Sequence, residues 1–351
     1  MSVPSWWVRR LLIAPLVTAL GLVLLVTVPV WLLVLLIITS LVPRRFRTPR
    51  VLLMVVLYLV SEALTLIVLF AMWVGTGFGW KLRAPASIRA HYRVGGAFLQ
   101  LLFAVAGSVL RLRIDTIGSE GTPAAAARTD FERVFAPGTP LVVLSRHGGP
   151  GDSFILIHTL LNHAHRMPRI VLKDTLQWDP VVDVLLHRIP ARFIAPTGFG
   201  GKTRGGGRGV EEQIGELATG MGDADAVVIF PEGGQATPRR RTSRIERYRS
   251  RGLEDLALRT EALRHVMPPQ PGGVHAALQA APTADVMFIA HTGLDKLASV
   301  RDVWRELPMD KHITMRAVLV PRRLIPEGRA EQAEWLFDWF EGIDAWIDAQ
   351  G

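Results

Sequence analysis

The 351-residue sequence contains no cysteine. Disulfides, thiolate metal ligands and a cysteine nucleophile are therefore excluded. It also lacks a GxSxG turn, the nucleophile elbow of many serine hydrolases, and the GxxxxGK[ST] order that cradles nucleotide phosphates. His158, His163 and His165 lie close together, but without the acidic partner of HExxH or a second ligand group, so no metal site is expected. A net charge of +9 invites a nucleic-acid partner, yet neither a zinc-finger spacing nor an aromatic RNA-binding signature is present. Anionic lipid is the better match for that charge.

Charged residues are missing from Leu11 to Val42, and Glu62 is the only one from Val51 to Trp80. As a helix each stretch would be roughly 45 Å long, against about 30 Å of hydrocarbon. The first is too long for a signal-peptide core and no clear small-residue cleavage site follows it, so both segments are expected to remain in the protein. Basic residues flank them: Arg9 and Arg10 before, Arg44, Arg45, Arg47 and Arg50 between, and Lys81, Arg83, Arg89 and Arg93 after. Two ordinary spans would place the Arg-rich connector outside, against the positive-inside tendency. Re-entrant hairpins broken at Pro15, Pro29, Gly75 or Gly77 would remove that conflict, and tilted spans are the other solution. Glu62 is assigned an interfacial or helix-packing role.

From about Arg111 the apolar runs shorten and alternate with polar segments. This divides the chain into a membrane-anchoring region, 1–110, with hydrophobic segments at 11–42 and 51–80, and a water-soluble domain, 111–351. Strands are expected at Arg111–Ile114, Pro140–Leu144, Arg169–Leu172, Ala191–Ala195, Ala226–Phe230, Asp285–Ala290 and Met315–Val320, with helices at Ser153–His163, Val181–His187 and Val210–Ala218. The alternation predicts an α/β fold with a mixed sheet covered by helices. No internal repeat stands out.

Two short signatures follow strand-like runs. His147-Gly148-Gly149-Pro150-Gly151-Asp152 comes after Leu141–Leu144, and Phe230-Pro231-Glu232-Gly233-Gly234 comes after Ala226–Ile229. Loops at strand ends converge on one site in open α/β sheets. Acylating an alcohol requires removal of its proton as the oxygen attacks a thioester, and a neutral imidazole suits that task. His147 is the candidate general base, with Asp152 fixing its tautomer across the glycine-rich turn. The competing structural reading makes His147 a surface residue and Asp152 a helix N-cap. His291, at a strand end, is assigned to packing or support.

Three further stretches are notable. Gly198 to Gly209 carries Lys202, Arg204 and Arg208 among its glycines, and is either a phosphate-holding loop or a mobile one with solvated charges. Arg239, Arg240, Arg241, Arg244, Arg247, Arg249 and Arg251 form a basic run, read as a solvated helix face with a membrane or substrate-phosphate role as the alternative. Trp335, Leu336, Trp339, Phe340, Ile343 and Trp346 recur at helical spacing, and core packing is favoured over membrane packing.

The two signatures resemble the glycerophospholipid acyltransferase family, especially the 1-acylglycerol-3-phosphate acyltransferases. His147 to Asp152 matches HxxxxD, and Phe230 to Gly233 matches the start of FPEGT. Lys173 with Trp178-Asp179-Pro180, then Arg192-Phe193-Ile194, are similar to the family's middle blocks. Arg247-Tyr248-Arg249-Ser250, leading through Leu263–Pro269 to Gly272-Gly273, resembles its lysophosphatidate and lysocardiolipin branch. The resemblance implies direct transfer from acyl-CoA or acyl carrier protein to a lysophospholipid hydroxyl, with no acyl-enzyme and no cofactor. His147 is then the base, Asp152 its orienting acid, and Glu232 with Gly233 part of the acceptor surface. Where the family has threonine and arginine after FPEG, this chain has Gly234 and Gln235. Phosphate binding must then use other cations, with Lys202, Arg204, Arg208 and Arg239 the candidates, or the acceptor differs. The implied product is phosphatidate. Acylation of another lysophospholipid or a glycolipid is the alternative within this class, and a non-catalytic lipid-binding scaffold the alternative outside it. The expected location is a bacterial inner membrane, with the catalytic domain on the cytoplasmic side.

Overall fold

The computed structural model describes residues 3–41, 47–117, 136–149, 151–194, 209–293 and 312–350. In chain order the main elements are α1 (Ala14–Leu41), α2 (Arg47–Gly75), α3 (Pro85–Leu110), β1 (Arg113–Ile117), β2 (Leu141–Ser145), α4 (Asp152–Asn162), β3 (Met167–Lys173), α5 (Pro180–Leu186) and β4 (Ala191–Ile194). There follow α6 (Val210–Ala218), β5 (Asp225–Ile229), α7 (Pro238–Arg249), α8 (Glu254–Ala262), α9 (Pro271–Ala280), β6 (Asp285–Thr292), β7 (His312–Val320) and α10 (Arg329–Asp348). Two compact units result. The first combines Met1–Arg113 with Val171–Gly207 and Val300–Lys311; the second holds Ile114–Ile170, Arg208–Ser299 and His312–Gly351.

Among the described residues of the first unit, three helical segments are long and apolar enough to cross a membrane: Trp6–Val28, Arg50–Gly75 and Pro85–Val109. The third was not among the hydrophobic segments expected from sequence, because Arg89, His91 and Arg93 interrupt its apolar run. His91 nevertheless lies fully inside, with its Nε2 3.3 Å from a guanidinium nitrogen of Arg188. Large apolar side chains such as Leu11, Leu16, Val26, Phe70 and Trp80 stay on the outside. That surface suits hydrocarbon rather than water, and associates the unit with a membrane. A π turn over Arg9–Ile13 leads into α1 just before Pro15, which has no N–H to give the preceding turn.

The helix α5 is tied into this unit by two acids. Asp179 caps α5 by accepting from Val182 N at 2.8 Å, and it also accepts from the Tyr58 hydroxyl. Its carboxyl is hydrogen-bonded to that of Glu62, which is 2% exposed. Glu62 also accepts from Val181 N at 3.5 Å, one residue into the same helix. Asp183, one turn further on, pairs with Arg9 at 3.2 Å and Arg10 at 2.8 Å. These two arginines, read from sequence as membrane flanks, therefore serve as internal counter-ions.

All seven expected strands are present, with ends moved by no more than three residues, and they form one sheet in the order β1-β7-β6-β2-β5-β3-β4. β2 runs parallel to β5 and β6, β3 runs parallel to β5, and β7 is antiparallel to β6. Leu141 stands beside both Ala226 and Asp285, so β2, β5 and β6 end at one edge of the sheet. Leu141 to Leu144, Val227 and Met287 are essentially inaccessible, as expected for strands in the middle of a sheet. The C-terminal tryptophan stripe belongs to α10, whose Leu336, Phe340 and Ile343 are buried, and Trp339 stacks on Phe288 of β6 with ring centroids 4.4 Å apart. Core packing thus accounts for Leu336, Phe340 and Ile343, while Trp335, Trp339 and Trp346 are half-buried and line a cavity beside Phe288.

Candidate active site

The site lies within the second unit, where the chain leaves the C-terminal ends of β2 and β5. After Ser145 the backbone carries Arg146 inward and His147 to the edge. Arg146 is 1% exposed, and its guanidinium donates to the carbonyls of His291 at 2.9 Å and His265 at 3.3 Å. A methyl group on Gly148 would sit 2.8 Å from an Arg146 guanidinium nitrogen. Glycine is therefore required where the loop crosses this buried cation.

The turn delivers Asp152 to the first position of α4, and its Oδ2 lies 2.6 Å from His147 Nδ1. Oδ1 accepts from Ser153 N at 2.5 Å and from the Ser153 hydroxyl at 3.1 Å, while Gly149 N reaches Oδ2 at 3.3 Å. Burial by itself would raise the Asp152 carboxyl, but the hydrogen bond and charge of His147, the charge of His291 and the Gly149 N–H together hold it below the usual carboxylate range. Asp152 is thus kept ionised beside the ring. The His147 side chain is 20% exposed, and its ring lies against Phe230 with centroids 5.1 Å apart. With Nδ1 held at the carboxylate, Nε2 is the ring nitrogen left to face a substrate.

Glu232 is brought to the same place but is 0% exposed. One of its oxygens accepts from the backbone N of His147 at 2.6 Å, the other from the backbone N of Met267 at 2.7 Å. Burial pushes this carboxyl up to about 7, against the pull of the two N–H groups and the nearby Arg146 and His147 charges. Both oxygens face donors, which is the geometry of the ionised form. Gly233, the next residue, is exposed with φ 68°.

Around this centre the chain is braced by residues that sequence reasoning left unassigned. Gln270 N donates to the Pro231 carbonyl at 2.9 Å. Asp344 of α10 accepts from the backbone nitrogens of Arg264, His265 and Val266 at 3.0, 2.6 and 3.0 Å. No pattern in the sequence points to these contacts, because they are made by backbone N–H groups of residues far apart in the chain.

The candidate cations divide. Lys202, Arg204 and Arg208 lie outside the described residues. Arg239 is exposed near the start of α7, the helix that contains most of the basic run. Arg240, not singled out from sequence, reaches back to the motif turn and donates to the carbonyls of Gln235 at 2.8 Å and Gly233 at 3.1 Å. Arg241 donates to the Arg264 carbonyl at 2.6 Å, and Arg249 pairs with Glu254 and Glu261, so part of the basic run holds the fold together. The His158 imidazole is pushed down to about 4, by burial and then by the charge of His163, and its Nδ1 lies 2.8 Å from the Asn162 amide nitrogen. Among the described residues, no group of three or more acidic or histidine side chains is placed to hold a metal ion.

Residues 122–292 match a family model described as Acyltransferase. Neither curated proteins nor solved structures yield a match to the chain.

Proposed function

The chain belongs to the acyltransferase family through residues 122–292, and on that footing we propose that it is a membrane-associated O-acyltransferase that acylates 1-acylglycerol 3-phosphate to phosphatidate. The acyl group comes from acyl-CoA or acyl carrier protein. The observation that carries this reading is the 2.6 Å contact between His147 Nδ1 and Asp152 Oδ2 at the rim of the sheet.

In the proposed reaction, His147 Nε2 takes the proton of the acceptor hydroxyl as its oxygen bonds to the thioester carbonyl carbon. Asp152 stabilises the imidazolium that forms. Backbone donors of the surrounding loops favour the developing oxyanion. The tetrahedral species then collapses, the C–S bond breaks, and the proton passes from imidazolium to the departing thiolate. The donor is thereby released as a free thiol. Arg239 and Arg240 are the described cations closest in sequence to the Phe230–Gly234 turn, and in this reading they hold the acceptor phosphate. The basic flanks and three apolar helical segments support a place at the cytoplasmic face of the cell membrane.

An acceptor other than lysophosphatidate is favoured by one observation: Arg240 already donates to two carbonyls of the motif turn. Thiol release by the purified protein, with acyl-CoA donors of varied length and a panel of lysophospholipids and glycolipids, tests both readings. Fastest turnover with lysophosphatidate is expected, and release with no donor–acceptor pair overturns acyl transfer. The His147→Ala protein should remain folded and membrane-bound without turnover, whereas a scaffold would keep its biological activity.

A further inference from the structure

Both carboxylate oxygens of Glu232 accept from backbone N–H groups of residues distant in the chain, whereas the backbone donors to Asp152 are its near neighbours Gly149 and Ser153. Oε1 takes the N–H of His147, the residue that carries the proposed base, and Oε2 takes the N–H of Met267, 120 residues later in the chain. At 2.6 and 2.7 Å these are at the short end of charge-assisted hydrogen bonds. The Glu232 main chain is fastened to the same distant segment, since its carbonyl accepts from the Gln270 side chain at 3.4 Å. The carboxylate is fully enclosed, so a lysolipid headgroup outside the loop does not reach it.

We propose that Glu232 is a positioning residue for acyl transfer: it clamps the backbone of His147 to the Val266–Gln270 segment and so fixes the direction in which the imidazole meets the acceptor hydroxyl, without touching the acceptor. The inference rests on His147 being the base. It replaces the acceptor-binding role that the family resemblance implied for Glu232. Asp152 sets the rotation and tautomer of the ring; Glu232 sets the place of the main chain from which the ring hangs. Proton transfer depends on both, since displacement of a reacting group by about 1 Å can cost on the order of a hundredfold in rate.

Two substitutions separate a clamp from an acceptor contact. Glu232→Gln keeps the shape but turns an NH2 group toward one of the two backbone donors, whichever way the amide is placed. Glu232→Asp keeps the charge but is one methylene too short to span both segments. The full-length protein and both variants would be compared in nanodiscs by steady-state thiol release, varying the lysolipid that the parent protein uses best. Hydrogen–deuterium exchange would be followed in peptides covering 144–149, 263–270 and, as a fold control, 139–144. A clamp predicts kcat about a hundredfold lower in both variants, acceptor KM within about twofold of the parent, and faster exchange in 144–149 and 263–270 with 139–144 unchanged. A raised acceptor KM with kcat retained overturns the proposal in favour of direct contact. Loss of kcat without faster exchange, or no change in either quantity, also overturns it. Should the parent release no thiol with any pair, acyl transfer itself fails; the exchange data then decide alone whether Glu232 holds the two backbones.

Discussion

Arg240 lies so close over Gly234 that a methyl group on that glycine would stand 2.4 Å from a guanidinium nitrogen. Gly234 also has φ +144°, a conformation that side chains with a Cβ rarely adopt. The residue that departs from the family's FPEGT pattern is therefore the one that admits an arginine from the following helix.

Gly234→Thr, which restores the family residue, is expected to impair rather than improve this protein. The Arg240 guanidinium would be pushed aside, and a side chain held at this backbone conformation costs about 1–3 kcal/mol. Melting temperature and turnover should both fall, and turnover with phosphate-bearing acceptors should fall at least about tenfold if Arg240 holds the phosphate. A variant as stable and active as the parent would remove Arg240 from the acceptor side.

If His147 is the base, as proposed, His147→Ala should lower kcat by roughly 10²–10⁴-fold, the usual range for a general base. Asp152→Asn should lower kcat as well, because the amide can turn a donor toward Nδ1 and favour the wrong tautomer. Single-turnover thiol release distinguishes this chemical loss from weaker binding.

The depressed Asp152 carboxyl makes a directional prediction for stability. A group whose folded pKa lies below its unfolded value stabilises the fold above that unfolded value, 3.8 for aspartate, and the contribution is lost as pH falls through the folded value. Asp152→Asn should therefore cost more melting temperature at pH 7 than at pH 3. Equal losses at both would show that the His147 contact contributes no pH-linked stability.

Glu232 should behave in the opposite sense. Its carboxyl is raised from 4.5 to about 7, so its contribution to stability is fully present below pH 4.5 and is lost as pH rises through 7. The melting temperature of the parent relative to Glu232→Gln should be higher at pH 5 than at pH 8. Turnover needs the ionised carboxylate and should fall as pH drops below about 7. Thermal scans and pH–rate profiles of the two proteins measure the divergence.

In the first unit, Glu62→Gln should be close to neutral, since the amide keeps the side chain's shape and its oxygen can still accept from Val181 N. Asp179→Ala removes the α5 cap, for which about 0.5–2 kcal/mol is typical, together with the partner of Glu62 and Tyr58. Thermal scans in detergent should therefore rank Asp179→Ala well below Glu62→Gln.

Much of this was legible in the chain itself. Short apolar runs placed all seven strands because burial of a central strand demands continuous hydrophobicity, and the HxxxxD and FPEG spacings located the loops because local turns need only neighbouring residues. The apolar stretches at 11–42 and 51–80 announced long apolar helices for the same local reason. Pro85–Leu110 escaped because its polar residues read as breaks in a linear sequence, while the folded chain turns His91 inward.

Sequence alone thus determined the class of fold, the apolar helices and the turn that brings Asp152 to His147. Tertiary structure decided what Glu232, Arg240 and Glu62 do. Glu232 is enclosed and holds backbone N–H groups of residues 85 and 35 positions away, Arg240 folds back over a glycine, and Glu62 meets an aspartate 117 residues downstream. A side chain's type announces what it can bind; only the packing of distant segments settles whether it faces a ligand, a backbone or another acid.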